Sequence, residues 1–346
     1  MDLNEFDYNL PASNIAQHPV VPRDACRLMI VDRKNQTITH KSFMNLGDFL
    51  NRGDLLVANN SRVVPSRIEG QTLESGNKFE ILLLKRLSGG LWESLIKPGR
   101  KFKKGSKFSL SRGDFRLEFR VIEELGNGSK IVHIDNEEHL TSIATIALPP
   151  YIKDISTHDS DYQTIFAKSD GSIAAPTAGL HFTQKLLLSL KKKGIDRTNI
   201  TLHVGWDSFR PIRSNNIDKH IMHSENYSIS KDTLAKLYSI KKDKKRIVAV
   251  GTTTTRVLEH LGQYSDGRLI NIERIGVGTG KTNLFIRPGH DFKIVDVMIT
   301  NFHLPKSTLL LLVSAFANKE LILYAYNEAV KEGYRFYSFG DAMLII

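Results

Sequence analysis

The sequence predicts an α/β protein: a layered α/β domain interrupted by a small all-β, Greek-key-like barrel. Three observations carry this. Strand-like and helix-like stretches alternate before residue 62 and again after residue 147, as expected of a parallel or mixed sheet covered by helices. Between them the texture changes to short strand-like runs, separated by Gly-containing turns at spacings of roughly 8–12 residues. And 346 residues, 41% hydrophobic and 25% charged, suffice for two domains with real cores. A short β unit between two α/β stretches is most simply an insertion. The expected division is therefore a discontinuous α/β domain of residues 1–61 and 148–346 and an inserted barrel of residues 62–147.

In order along the chain, "RLMIVD" reads as a strand, "KSFMNLGDFLNRGD" as a short amphipathic helix stopped near Gly53, and "DLLVANN" as a second strand. The runs "RVVPSRIEG", "KFEILLLKRL", "WESLIKPG", "KFSL", "FRLEFRVIEE" and "SKIVHID" make up the β unit. After "LPPYIK" the helices return. "TQKLLLSLKKKG" has a Thr183 N-cap, leucines on one face and Gly194 as its stop. "ITLHVGW" is a strand, and "ISKDTLAKLYSIKKDKK" is a helix capped by Ser230. "RIVAVGTTTTRVLEHLG" is a strand, a Gly turn and a helix. "FKIVDVMITNF" is a strand, "STLLLLVSAFA" a helix capped by Ser307, "NKELILYAYNEAVKEGY" another helix, and "RFYSFGDAMLII" the closing strand.

Charge and cysteine content narrow the function. Forty-eight Lys and Arg against 37 Asp and Glu leave a net charge of +11, which favours an anionic partner such as nucleic acid, an anionic membrane or an acidic substrate. One cysteine, Cys26, excludes an intrachain disulfide and a Cys-based zinc site and points to a reducing compartment. It reads as a buried apolar thiol rather than a nucleophile. "MDLNEFDYNL" lacks the apolar core of a signal peptide, and "LLLLVSAFA" is too short to span a bilayer. A cytoplasmic protein with no membrane partner is expected.

One stretch invites a nucleotide-binding reading and fails it. "RIGVGTGKTNLFIRPG" contains Gly280-Lys281-Thr282, as a phosphate-binding loop does. Such a loop needs four residues between its first Gly and the Gly-Lys-Thr, and that position is Ile275; Gly276 is one residue too close. The alternating "TNLFIRPG" that follows reads as a strand running into a turn, where the loop would open a helix.

Polar residues collect where elements change. "APTAGLHF" sets His181 just before a helix, and "TLHVGWDSFRP" sets His203 at a strand end. "DKHIMHSENY" packs His220, His223 and Glu225 together, and "ITNFHLPKST" places His303 between a strand and a capped helix. "VGTTTTR" puts Thr252 to Thr255 and Arg256 where a strand becomes a helix, whose N-terminus offers free N–H groups to an anion. Each has a bland reading beside it. A loop histidine is readily a structural hydrogen-bonding group, the threonines an N-cap with β-branched neighbours, and "KPGRKFKKGSK" a solvated turn. His220 and His223 lack a clear third ligand, so no metal site is read here.

Together, "FDYNLPASNIAQHPVVPRDACRLMIVDR", "APTAGLHFTQKLL", "TLHVGWDSFRPI", "HIMHSENYSIS", "VAVGTTTTRVLE", "ITNFHLPKSTLLLLVSAFA" and "EGYRFYSFGDAMLI" closely resemble the S-adenosylmethionine:tRNA ribosyltransferase-isomerase family of queuosine biosynthesis. The resemblance runs from Phe6 to the C-terminal Ile346. It implies an α/β domain with an inserted β-barrel and a transferase that attaches the ribosyl moiety of S-adenosylmethionine (SAM) to 7-aminomethyl-7-deazaguanine at the tRNA wobble position. The sugar is isomerised to give epoxyqueuosine, and adenine and methionine leave. SAM is then a co-substrate, no metal is required, and the protein is expected to be a monomer whose partner is that tRNA.

Such chemistry needs a base for the proton beside the sulfonium, and an acid or strong hydrogen bonds for departing adenine. The resemblance makes His181, His203, Glu225 and His303 the catalytic candidates, and the sequence does not rank them. Arg210, Arg256 and the N–H groups after Gly251 are candidates for the methionine carboxylate, and Asp341 for ribose hydroxyls or the aminomethyl group. Thr177, Gly179, His223, Thr252, Thr253 and Asn301 complete the expected substrate-binding set. Arg62, Lys97, Arg100, Lys101, Lys103 and Lys104 are the candidates for tRNA phosphates. The chain departs from the family pattern at Asn60 ("NNSRV" for "NDTRV"), at Trp206 and Asp207 ("GWDSF" for "GLGTF"), at "GTTTTR" for "GTTSVR", and in "GKTNLFIRPG", where Lys281 and Asn283 replace acids. Two other classes compete: a non-catalytic RNA-binding protein, and a SAM-dependent RNA methyltransferase. The second would show a Gly-rich loop after its first strand and an acid ending the next, and that pair is not found.

Overall fold

Runs such as "LLVA", "IVAV" and "VMIT" have no polar alternation, because the strands they form are covered on both faces. They lie at the centre of a nine-stranded mixed sheet, in a computed structural model that describes residues 1–154, 158–206, 216–263, 265–266, 269–270 and 278–346. The strand order is Gly278–Thr282, Glu225–Ile229, Asp196–Leu202, Leu55–Asn59, Ile247–Val250, Val297–Asn301, Ala342–Ile345, Arg27–Asp32, Thr37–Ser42. The four strands from Asp196–Leu202 to Val297–Asn301 run parallel, and antiparallel strands close each side.

Successive residues of these strands enter opposite cores. Met29, Val31, Val57, Ala249, Met298 and Met343 pack with leucines of the Lys231–Lys242, Thr252–Gly262, Thr308–Ala317 and Lys319–Lys331 helices. Leu28, Ile30, Ala58, Val248, Ile299 and Leu344 pack instead with Phe43, Phe182, Leu186 and Leu190. The helix caps follow the sequence. Thr183, Ser230 and Ser307 each accept an N–H from the residue three further on, at 3.1–3.2 Å. No single helix among the described residues is long and apolar enough to cross a membrane.

Two elements differ from expectation. "FMNLGD" is a 3-10 helix closed by a Ser42–Asn45 capping box, since Gly47 and Asp48 end it after six residues. The strand expected over "TNLFIRPG" lies instead on "GTGKT", where Gly278–Thr282 pairs with Glu225–Ile229.

The chain divides into two compact units: Met1–Arg62 with Pro150–Ile346, and Val63–Pro149. The second holds a six-stranded antiparallel sheet in the order Arg67–Gln71, Lys78–Ser88, Leu91–Lys97, Lys130–Asp135, Phe115–Glu124, Lys107–Arg112. The last three strands in sequence follow one another and return beside the Leu91–Lys97 strand, a Greek-key order. The sheet curls until its two end strands nearly meet. A Cβ at Gly70 would lie 2.5 Å from the Leu110 side chain, and Leu73 N–H donates to the Ser109 carbonyl at 3.0 Å. Phe79, Phe102, Phe108 and Phe119 fill this barrel-like interior, with ring centroids 4.5–6.0 Å apart.

Candidate active site

In sheets of this kind ligands collect at the carboxyl ends of parallel strands. The Ile247–Val250 strand ends in Gly251, whose φ of +89° lets the chain turn at once into the Thr252–Gly262 helix. No side chain caps that helix, so its first N–H groups are left for a ligand. The four threonines split by role. Thr254 and Thr255 donate back to the carbonyls of Val250 and Gly251, at 2.7 and 3.1 Å. Thr252 and Thr253 face a cavity instead, and the buried Thr253 hydroxyl has no partner among the described residues.

Arg256 lies one turn further on and also lines the cavity. Its Nε donates to the Leu284 carbonyl at 3.2 Å, its Nη1 donates to Glu225 Oε2, and its buried Nη2 has no partner among the described residues. Glu225 is buried behind it and also accepts the Gly205 N–H at 3.3 Å. Burial pushes this carboxyl up, but contacts with His223 and the Arg256 guanidinium outweigh it and hold it below the usual carboxylate range. Glu225 is thus an ionised structural partner, and not the raised-pKa base that the chemistry invited.

The neighbouring Val297–Asn301 strand supplies the opposite wall. Asn301 Nδ2 donates to the Tyr337 carbonyl at 2.9 Å, so its other contact, 3.0 Å to His181 Nε2, is a donation too. His181 therefore accepts at Nε2 and carries its proton on Nδ1, 3.3 Å from Cys26 Sγ. On its other side Asn301 Oδ1 accepts the Thr177 hydroxyl at 3.2 Å. His303 lines the cavity, with Nε2 2.7 Å from the Thr300 hydroxyl and its backbone N–H donating to the Tyr326 hydroxyl at 3.0 Å. Burial depresses both histidines to about 3, and in His181 the guanidinium groups of Arg23 and Arg335 add to it. Both are neutral rings near pH 7, and weak bases.

The cavity brings together Thr177, His223, Gly251, Thr252, Thr253, Arg256, Asn301 and His303. His181 and Glu225 stand behind it, supporting Asn301 and Arg256. Three further expected residues are also not among its lining. Gly179 packs against Thr164, where an added Cβ would lie 3.1 Å from that side chain. His203 lines a separate hollow with Tyr227 and Lys281. Asp341 spends one oxygen on the Arg27 N–H at 2.9 Å and the other on the Arg335 N–H at 2.8 Å, so it clamps backbone where a ribose contact was expected. Arg210 and Asp207 lie outside the described residues.

Sequence reasoning missed an aromatic wall. Tyr151 and Tyr337 line the cavity with ring centroids 4.6 Å apart, and the Tyr151 hydroxyl meets that of Ser338 at 2.7 Å. Nothing periodic marks two tyrosines so distant in the chain; the Pro-Pro before Tyr151 was the available hint. Of the departures, Asn60 is structural: its Oδ1 accepts the Thr201 hydroxyl at 2.6 Å. Lys281 and Asn283 are exposed.

Within the β unit Lys97, Arg100, Lys101, Lys103 and Lys104 are all exposed on one loop, anchored by the buried Phe102. Arg62 belongs to the other unit and sits 3.6 Å from Asp170. Among the described residues no three metal-ligating side chains cluster.

Known proteins resemble this chain along its whole length. The protein is 48% identical over the full length of both chains to the S-adenosylmethionine:tRNA ribosyltransferase-isomerase of Thermosipho melanesiensis. It is 47% identical, again over both full lengths, to the protein of that name from a Sulfurihydrogenibium species. The crystal structure of S-adenosylmethionine tRNA ribosyltransferase from Thermotoga maritima is 39% identical, covers 99% of this chain and 100% of its own, and superposes with a TM-score of 0.55. The model of the queuosine biosynthesis protein family matches residues 3–345, and the chain belongs to that family.

Proposed function

We propose that the cavity takes SAM and that this enzyme is an S-adenosylmethionine:tRNA ribosyltransferase-isomerase. It transfers and isomerises the ribosyl moiety onto 7-aminomethyl-7-deazaguanine at the wobble position of tRNA. Epoxyqueuosine-tRNA forms, and adenine and methionine are released.

One observation carries the assignment of the cavity. The Thr253 hydroxyl and Arg256 Nη2 are buried, lack partners among the described residues and flank a helix N-terminus that no described side chain caps. Buried polar groups are ordinarily satisfied, so these fit a polar, anionic ligand end such as the methionine carboxylate. The rest of the lining suits the rest of SAM. Thr177 and Asn301 offer hydrogen bonds to ribose hydroxyls, and Tyr151 and Tyr337 offer ring faces to adenine. His303, being neutral, adds no charge to oppose the sulfonium. The exposed basic loop of the β unit and the net charge of +11 suit tRNA phosphates. We place the enzyme in the cytoplasm as a monomer, on its single cysteine, and without a resident metal, since acid–base chemistry and electrostatics suffice.

The test is direct. The protein is mixed with SAM and tRNA bearing 7-aminomethyl-7-deazaguanine, and free adenine and methionine are followed by chromatography. Release of both, dependent on the tRNA, is expected. S-adenosylhomocysteine in their place would mean a methyltransferase, and intact SAM would overturn the reading.

A further inference from the structure

His223 differs from the other cavity histidine in its company. The His303 ring meets the Thr300 hydroxyl and its backbone N–H the Tyr326 hydroxyl, whereas His223 Nε2 lies 3.4 Å from Oε1 of the buried Glu225, an ion-pair separation without a hydrogen bond among the described residues. The other oxygen of Glu225 is held by Arg256. A carboxylate so placed stabilises an imidazolium forming on the ring, and the contact tightens to a hydrogen bond as that charge develops. With Nε2 turned to Glu225, Nδ1 is the ring nitrogen left to meet a ligand. His223 keeps 20% of its side-chain surface, enough to reach a substrate and to be changed without breaking the core.

We propose that His223 is the general base that removes the proton from the ribose carbon next to the sulfonium of SAM, and that Glu225, held by Arg256, positions it. The proposal rests on the reading of the cavity as a SAM site. In the step a C–H bond of that carbon breaks and an N–H bond forms on the imidazole. The electron pair stays on carbon, stabilised by the adjacent sulfonium. The imidazolium is then the nearest acid when adenine departs, and returning the proton restores the base. His303 and His181 are poorly suited to this work, because burial holds them neutral and weakly basic. Among the described residues the charged and titratable groups facing His223 are Glu225 and Arg256, with His220 three positions earlier.

The experiment compares the wild type with His223→Asn in three readouts: equilibrium SAM binding, adenine release with tRNA, and deuterium uptake from heavy water at that ribose carbon in recovered SAM. Asn keeps a polar side chain of similar reach and cannot take the proton. SAM affinity within about threefold of wild type is expected, with adenine release and deuterium uptake both falling about 10²–10⁴-fold. Adenine release within tenfold of wild type, or a loss confined to SAM binding, would overturn the assignment. For the positioning role, Glu225→Asp should retain turnover with the acid limb of its kcat/KM–pH profile displaced; an unmoved limb removes Glu225 from the account. The two readings fail separately. If the wild type releases no adenine the SAM site itself falls, whereas release by both proteins removes only the base.

Discussion

Arg256 and Glu225 form an ion pair with almost no access to water: their side chains are 4% and 3% exposed. Such a pair contributes little against an apolar replacement, but its half is costly to leave behind. Arg256→Met should therefore destabilise the protein by about 3–5 kcal/mol in chemical denaturation. The double change of Arg256→Met with Glu225→Leu should recover most of that loss while SAM binding stays impaired. Equal destabilisation by the single and double variants would show that the pair is not the cause.

Two buried histidines set an acid limit. Free imidazoles take up protons below about pH 6.5, while His181 and His303 resist protonation down to about 3. Between those values the unfolded chain binds more protons, so stability is lost as pH falls. Each histidine should cost about 2 kcal/mol on going from pH 7 to pH 5. Unfolding free energies at the two pH values measure this, and the double variant His181→Asn, His303→Asn should lose most of the difference. Glu225 does not contribute to the difference between pH 7 and pH 5, since its folded pKa lies below the ordinary 4.5 and its stabilisation is lost only as pH falls below that value.

Thr253→Val should separate binding from folding. The hydroxyl it removes is buried without a partner among the described residues, so the apolar replacement should leave the melting temperature unchanged or raised. KM for SAM should rise roughly 2–13-fold, the value of one neutral hydrogen bond of about 0.5–1.5 kcal/mol. Steady-state kinetics beside a melting curve checks both halves.

The basic loop should act through salt. Replacing Lys101, Lys103 and Lys104 by Ala should weaken tRNA binding and flatten the plot of log affinity against log salt, by roughly 0.7–0.9 for each phosphate that is no longer neutralised. SAM affinity should not move. An unchanged slope would assign the loop to solubility alone.

What was legible in the sequence was local. Thr183, Ser230 and Ser307 cap the helices that their positions announce, because a cap is decided by residues three apart. The turn at Gly251 and the threonines after it were legible for the same reason. Their division of labour was not, since only the helix's placement decides that Thr254 bonds backward and Thr253 faces the cavity. Likewise His181 and His303 looked alike as loop histidines. That one supports Asn301 while the other lines the cavity depends on partners more than a hundred residues away for His181 and on where the end of its strand is placed for His303. Asp341 misled for a related reason: a carboxylate after glycine looks available until the backbone amides of Arg27 and Arg335 are found to occupy it.

Gly280 lies opposite Tyr227 in the antiparallel pairing, and a methyl group there would sit 2.6 Å from the ring. Its neighbours Thr279 and Lys281 are exposed, and Thr282 is buried. A mutational scan of this edge strand should therefore sort by parity: odd positions tolerant, even positions not. The letters that imitate a phosphate loop thus answer to two unrelated physical demands, packing beneath a tyrosine at Gly280 and an exposed polar side chain at Lys281. A single change at Lys281 removes the imitation and leaves the packing of Gly280 against Tyr227 as it is.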